Sequence, residues 1–115
     1  MLEIEKGITE LYDTINNNEF VFMEITAPWC NQCKMMKPVI QNIEDEYKDK
    51  VIFVKIDQDK NPEISSIYNV ISLPTFFFFV QGEKKEAFQM RSKSFIQNLI
   101  NKYIGGGKND WFNNN

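Results

Sequence analysis

Along the chain, short unbroken apolar runs alternate with stretches whose apolar positions recur every three or four residues. Leu2–Glu5 has the length of a brief first strand. Ile8, Leu11, Tyr12 and Ile15 then repeat at helical spacing until Asn16-Asn17-Asn18 ends the stripe. Phe20–Thr26 is almost wholly apolar, the pattern of a strand covered on both faces, and Glu24 is its anomaly. Met36, Val39, Ile40, Ile43 and Tyr47 mark a second helix, which Pro38 kinks without ending. Val51–Ile56 is again strand-like, with Lys55 as the odd polar member. Asn61-Pro62-Glu63 combines a cap, a first-turn proline and a first-turn acid, and opens a helix with Ile64, Ile67 and Tyr68 inside.

Leu73-Pro74-Thr75 leads into Phe76–Val80, a strand of strong β-formers read as core. Gln81-Gly82-Glu83 reads as a hairpin turn into Ala87–Met90. Ile96, Leu99, Ile100 and Tyr103 trace the last helix, with Ser94 and Gln97 as its capping box. The order β-α-β-α-β-α-β-β-α predicts an α/β fold, a central mixed β-sheet flanked by helices on both faces. One domain over 1–104 is expected, followed by a flexible Gly/Asn-rich tail over 105–115.

Composition narrows the function. With 13 basic and 16 acidic residues the net charge is -3, which argues against a nucleic-acid footprint. The longest apolar run, Leu73 to Val80, is far short of the roughly 18 residues that a membrane-spanning helix needs. There is no histidine, so imidazole bases and histidine metal sites are excluded. The amino terminus lacks the basic and apolar regions of a signal peptide, so a cytoplasmic protein is expected, and a monomer.

The only two cysteines are spaced Cys30-Asn31-Gln32-Cys33, between a strand and a helix start. An ordinary thiol, pKa about 8.5, is only about 3% ionised at neutral pH. A thiol at a helix N-terminus meets unpaired N–H groups and the positive end of the dipole, which favour the thiolate that attacks disulfides. Cys33, one turn on, is placed to attack the resulting mixed disulfide. Three blander readings compete. A metal half-site would need two further soft ligands, and the chain has no other cysteine. A structural disulfide of so short a loop adds only about 2 kcal/mol. Two inert thiols complete the alternatives.

Ala27-Pro28-Trp29-Cys30-Asn31-Gln32-Cys33-Lys34, the Leu73-Pro74-Thr75 loop and Asp57-Gln58-Asp59 with Asn61-Pro62 resemble the landmarks of the thioredoxin family. The resemblance runs from about Phe20 to Tyr103 and implies a thioredoxin-like fold. It implies a protein-disulfide reductase in which Cys30 is the nucleophile and Cys33 the resolving thiol. Pro74 would be cis, and Trp29, Leu73 and Pro74 would shape the substrate groove. Glu24 stands where the family keeps a buried aspartate, as a proton acceptor for Cys33, and Lys55 would hold it as an ion pair. Asn31-Gln32 replaces the family's Gly-Pro, and Met90 replaces a groove glycine. No bound cofactor or metal is implied. Partners would be disulfide-containing target proteins and a thioredoxin reductase or other thiol donor. A disulfide oxidase or isomerase, and a redox-regulated binding module without turnover, are the alternative readings.

Overall fold

Alternation along the strands divides the apolar residues between two cores, one on each face of a sheet. The computed structural model describes residues 1–105. Among these the elements are β1 (Leu2–Glu3), α1 (Gly7–Asn16), β2 (Phe20–Thr26), α2 (Asn31–Tyr47), β3 (Ile52–Asp57), α3 (Pro62–Ile67), β4 (Thr75–Val80), β5 (Glu83–Phe88) and α4 (Lys93–Ile104). The strand order is β1-β3-β2-β4-β5. β1, β3 and β2 are parallel, whereas β4 runs antiparallel to β2 and β5 antiparallel to β4. The α/β class and mixed sheet are therefore as the alternation predicts. The expected tail, apart from Gly105, lies outside the described residues.

The four-phenylalanine run shows how period two sorts side chains. Phe76 and Phe78 join Phe22, Phe53 and Phe88 under Ile40 and Ile43 of α2 and Ile96 and Ile100 of α4. Phe77 and Phe79 join Val21, Met23 and Ile25 on the opposite face, under Leu11 and Ile15 of α1 and Ile64 of α3. The Phe22 and Phe76 ring centres lie 5.6 Å apart, and those of Phe76 and Phe88 5.3 Å apart. Burial of such a ring contributes about 1.5–3 kcal/mol. The central strand β2 is thus fixed from both faces and by both neighbours, which makes its end a firm mount for the next loop.

Several boundaries differ from the sequence expectations for local reasons. β1 stops at Glu3, and buried Ile4 instead donates its N–H to the Lys55 carbonyl at 3.0 Å. Ile67 and Tyr12, assigned to inner faces, are exposed because each lies at the rim of its short helical stripe. Asn61 precedes α3 without a side-chain cap bond; its Nδ2 donates to the Asp57 carbonyl at 3.1 Å. α4 is capped by Ser92, whose extended backbone lets Oγ accept from the Phe95 N–H at 3.1 Å, so Ser94 falls inside the helix. β5 begins at Glu83 and ends at Phe88, leaving Gln89 and Met90 in the following loop.

The early start of β5 follows from a two-residue turn in which both Gln81 (φ 51°) and Gly82 (φ 82°) are left-handed. A Cβ on Gly82 would stand 2.7 Å from Asn16 Oδ1. Gly82→Ala is expected to lower stability by about 1–2 kcal/mol, from the positive φ and the crowding together. Denaturant unfolding of both proteins measures it, and an unchanged midpoint would contradict this account of the turn.

Candidate active site

β2 delivers the chain at Thr26, whose carbonyl accepts from the Gln58 N–H at 2.8 Å. Ala27-Pro28-Trp29 then turns the chain, and the Ala27 carbonyl accepts from the Cys30 N–H at 3.2 Å. Cys30 is the N-cap of α2, with extended backbone (φ −83°, ψ 109°), and its Sγ accepts from the Cys33 N–H at 3.1 Å. The two cysteines form a disulfide with Cα atoms 5.3 Å apart, and both are buried. A sulfur thus takes the capping position that an oxygen usually fills. Once the bond is reduced, the same N–H and the helix dipole favour negative charge on Cys30.

Leu73 packs against Ala27, Cys30 and Cys33. The Leu73–Pro74 peptide bond is cis, and Pro74 is buried. This loop is pinned twice at Ser72: its carbonyl accepts from Thr75 Oγ1 at 2.6 Å, and its Oγ accepts from Gln89 Nε2. A groove of about 540 Å³ opens beside the disulfide, with Trp29, Cys30, Gln58 and Leu73 among its walls. Met90 follows Gln89 and is partly exposed but stands outside that lining, so it is not brought into this wall.

Trp29 is 62% exposed, unusual for so large an apolar ring. Its indole N–H donates to both carboxylate oxygens of Asp59, at 3.0 and 3.2 Å. The Asp59 N–H in turn donates to Asp57 Oδ1 at 2.9 Å. Asp59 is a site residue that sequence reasoning missed, although it sits within the Asp57-Gln58-Asp59 landmark. The available signal was chemical: an exposed indole beside a reactive pair needs an acceptor to fix its orientation.

Glu24 shares the sheet face of Phe22 and lies opposite Lys55 in the β2–β3 register. It is only 7% exposed. Burial raises its pKa from the ordinary 4.5 to about 7, with the Lys55 charge pulling it back part of the way. The expected ion pair does not form: among the described residues no salt bridge joins Glu24 to Lys55. Adjacent strands set the two side chains side by side, and Lys55 remains only half-buried. Glu24, Lys55 and Asp57 border a cavity of about 550 Å³, whose wall also includes Cys33. The structure therefore brings Glu24 and Cys33 to one cavity. It also places Trp29, Cys30 and Leu73 along a separate groove.

Comparison with known proteins agrees with this geometry. The family model described as Thioredoxin matches residues 6–102. A thioredoxin of Pyropia yezoensis is 39% identical over 93 residues, covering 80% of this chain and 87% of its own. The Bacillus subtilis thioredoxin is 34% identical over 104 residues, covering 90% and 100%. A solved structure of Plasmodium falciparum thioredoxin superposes with a TM-score of 0.80 at 28% identity, covering 90% of this chain and 99% of that one. Among the described residues, no helix is long and apolar enough to cross a membrane.

The raised Glu24 pKa makes stability depend on pH. Between 4.5 and about 7 the folded protein holds the Glu24 proton more tightly than the unfolded chain does, so stability falls as pH rises through that window. The full cost above it is about 3 kcal/mol. Glu24→Gln is expected to match the parent near pH 4.5, to be more stable by up to about 3 kcal/mol at pH 8, and to flatten the intervening slope. Urea unfolding at several pH values reads this directly, and parallel curves for the two proteins would contradict it.

Proposed function

The chain belongs to the thioredoxin family and is a thiol–disulfide oxidoreductase, a protein-disulfide reductase; from that premise we propose that Cys30 is its nucleophile and Cys33 its resolving thiol. The observation that carries this assignment is the Cys33 N–H aimed at Cys30 Sγ from the first turn of α2. In the reduced protein the Cys30 thiolate attacks one sulfur of a target disulfide. A Cys30–target S–S bond forms, the target S–S bond breaks, and the second target sulfur leaves as a thiolate. Cys33 then loses its proton and attacks Cys30 Sγ. The internal disulfide forms, and the first target sulfur leaves, so two electrons have passed to the target.

Glu24 is the proton acceptor for Cys33 in this proposal. A carboxyl of pKa about 7 on the wall of the same cavity is matched to taking a proton near neutral pH. Lys55, next to it in register, tunes that carboxylate by its charge rather than by a direct ion pair. Trp29, Leu73 and Pro74 shape the surface on which target backbone lies, whereas Met90 stands outside the groove lining. The exchange moves electrons between sulfurs and uses no bound cofactor.

Proteins of this family act on disulfide substrates and are reduced by thioredoxin reductase. For this chain we infer disulfide-containing target proteins as substrates and thioredoxin reductase or another thiol donor as the electron source. A monomer fits, because both cysteines are engaged in the site and none remains to bridge two copies. A cytoplasmic setting fits too, since a reductase works where thiols are kept reduced.

The two cysteines are separable by trapping. Cys33→Ser is expected to accumulate a lasting mixed disulfide with a target protein, seen as an added target mass that a thiol reagent removes. Cys30→Ser is expected to stay folded, form no such adduct and lose all disulfide reduction. An adduct carried by Cys33 in the Cys30→Ser protein would reverse the assignment.

A further inference from the structure

Glu3 of β1 stands opposite Lys55 of β3, and Lys55 stands opposite Glu24 of β2. Partners in register on adjacent parallel strands share a face, and one strand spacing is about 4.8 Å. The row across β1, β3 and β2 is therefore acid, base, acid, with one lysine between two carboxyl groups. All three residues line the cavity that reaches Cys33. Their surroundings differ, because Glu24 is buried whereas Glu3 and Lys55 are half-buried.

A lysine keeps its ammonium where water can reach it and moves it on a flexible stem. That preference draws the charge toward Glu3 and away from the buried Glu24. No salt bridge joins Lys55 to either acid among the described residues, so neither holds it exclusively. Burial favours the proton on Glu24, and the Lys55 charge opposes it. Whatever holds Lys55 off Glu24 therefore strengthens Glu24 as a base.

Other charged groups also border this cavity. α2 contributes Lys34, Lys37 and Glu44, and the Met1 amino group pairs with Glu44 at 2.6 Å. β3 adds Asp57, whose Oδ1 accepts from the Asp59 N–H, and β4 sets the uncharged Phe76 opposite Glu24. Glu3 differs from these acids in standing in register with Lys55 without a salt bridge of its own among the described residues.

We propose that Glu3 is a positioning residue for the exchange: it draws Lys55 away from Glu24 and so keeps Glu24 a strong base for the Cys33 proton. The proposal rests on the reading of Glu24 as that proton acceptor. In the step it governs, the Cys33 S–H bond breaks and the proton goes to the Glu24 carboxylate. The Cys33 sulfur bonds to Cys30 Sγ, the Cys30–target S–S bond breaks, and the target sulfur leaves with its electron pair as a thiolate. Glu3 acts on this step only through Lys55.

Carbon-13 NMR of the Glu24 carboxyl group, followed against pH in the disulfide form, reads the first half of the proposal. Glu3→Gln is expected to lower the proton affinity of Glu24 about 3-fold, moving its midpoint down by about 0.5 pH unit. In a Lys55→Met background the same substitution should leave the midpoint where it is. The second half is read in the reduced protein with dithiobis(nitrobenzoic acid), where attack by Cys30 releases one coloured thiolate and attack by Cys33 releases the next. In Glu3→Gln the pH midpoint of the second phase should fall with that of Glu24 while the first phase keeps its profile, a split that a merely structural role would not produce. A Glu24 midpoint unmoved by Glu3→Gln, or an equal shift in the Lys55→Met background, would overturn the proposal and leave the exchange reading standing. A shifted Glu24 midpoint with an unchanged second phase would instead overturn Glu24 as the acceptor, and this proposal with it.

Discussion

The site depends on one hydrogen bond, from the Cys33 N–H to Cys30 Sγ at 3.1 Å. Any helix must satisfy or hydrate the donors of its first turn, and α2 does so with a sulfur where Ser, Thr, Asp or Asn would be usual. That choice couples the fold to the chemistry. The donor in the helix's first turn is the donor that stabilises the reactive anion once the disulfide opens, and it is in place before any target arrives. The x-x spacing between the cysteines follows from the same geometry, because the residue that donates to a capping side chain is the one three positions on.

For this bond to matter, α2 must start at a fixed point, and the sheet provides it. β2 is the middle strand, paired parallel with β3 and antiparallel with β4, and packed from both faces. Thr26 and the Ala27 carbonyl then lock the loop before Cys30. On the far side, the cis Leu73–Pro74 loop brings Leu73 onto the disulfide and is held by Thr75 and Gln89. The cavity with Glu24 reaches Cys33, and the groove with Trp29 reaches Cys30. In the proposed exchange, proton transfer and target binding therefore approach different sulfurs of one disulfide.

Much of this was legible in the sequence because the strongest signals were local. The period-two sorting of Phe76–Phe79, the apolar run of β2, and cysteines at a strand–helix junction each follow from chemistry within a few residues. What was not legible depended on distant partners. Nothing near Ser92 distinguished it from Ser94 as the cap, since backbone dihedrals made the choice. Asp59 acquires its role only when Trp29, thirty positions away, reaches its carboxylate. The Glu24–Lys55 pair was placed correctly in register, yet the side chains do not close into an ion pair. Ile71 reads as an ordinary apolar residue after a helix until the fold leaves it in solvent.

The most direct test of the account is the relative reactivity of the two thiols in the reduced protein. Limited alkylation with iodoacetamide at pH 7, followed by mass spectrometry of the peptides, gives a separate rate for each. Stabilisation of the Cys30 anion by the first turn of α2 predicts that Cys30 is modified at least about 10-fold faster than Cys33. Equal rates, or faster modification of Cys33, would contradict the claim that the capping position makes Cys30 the nucleophile.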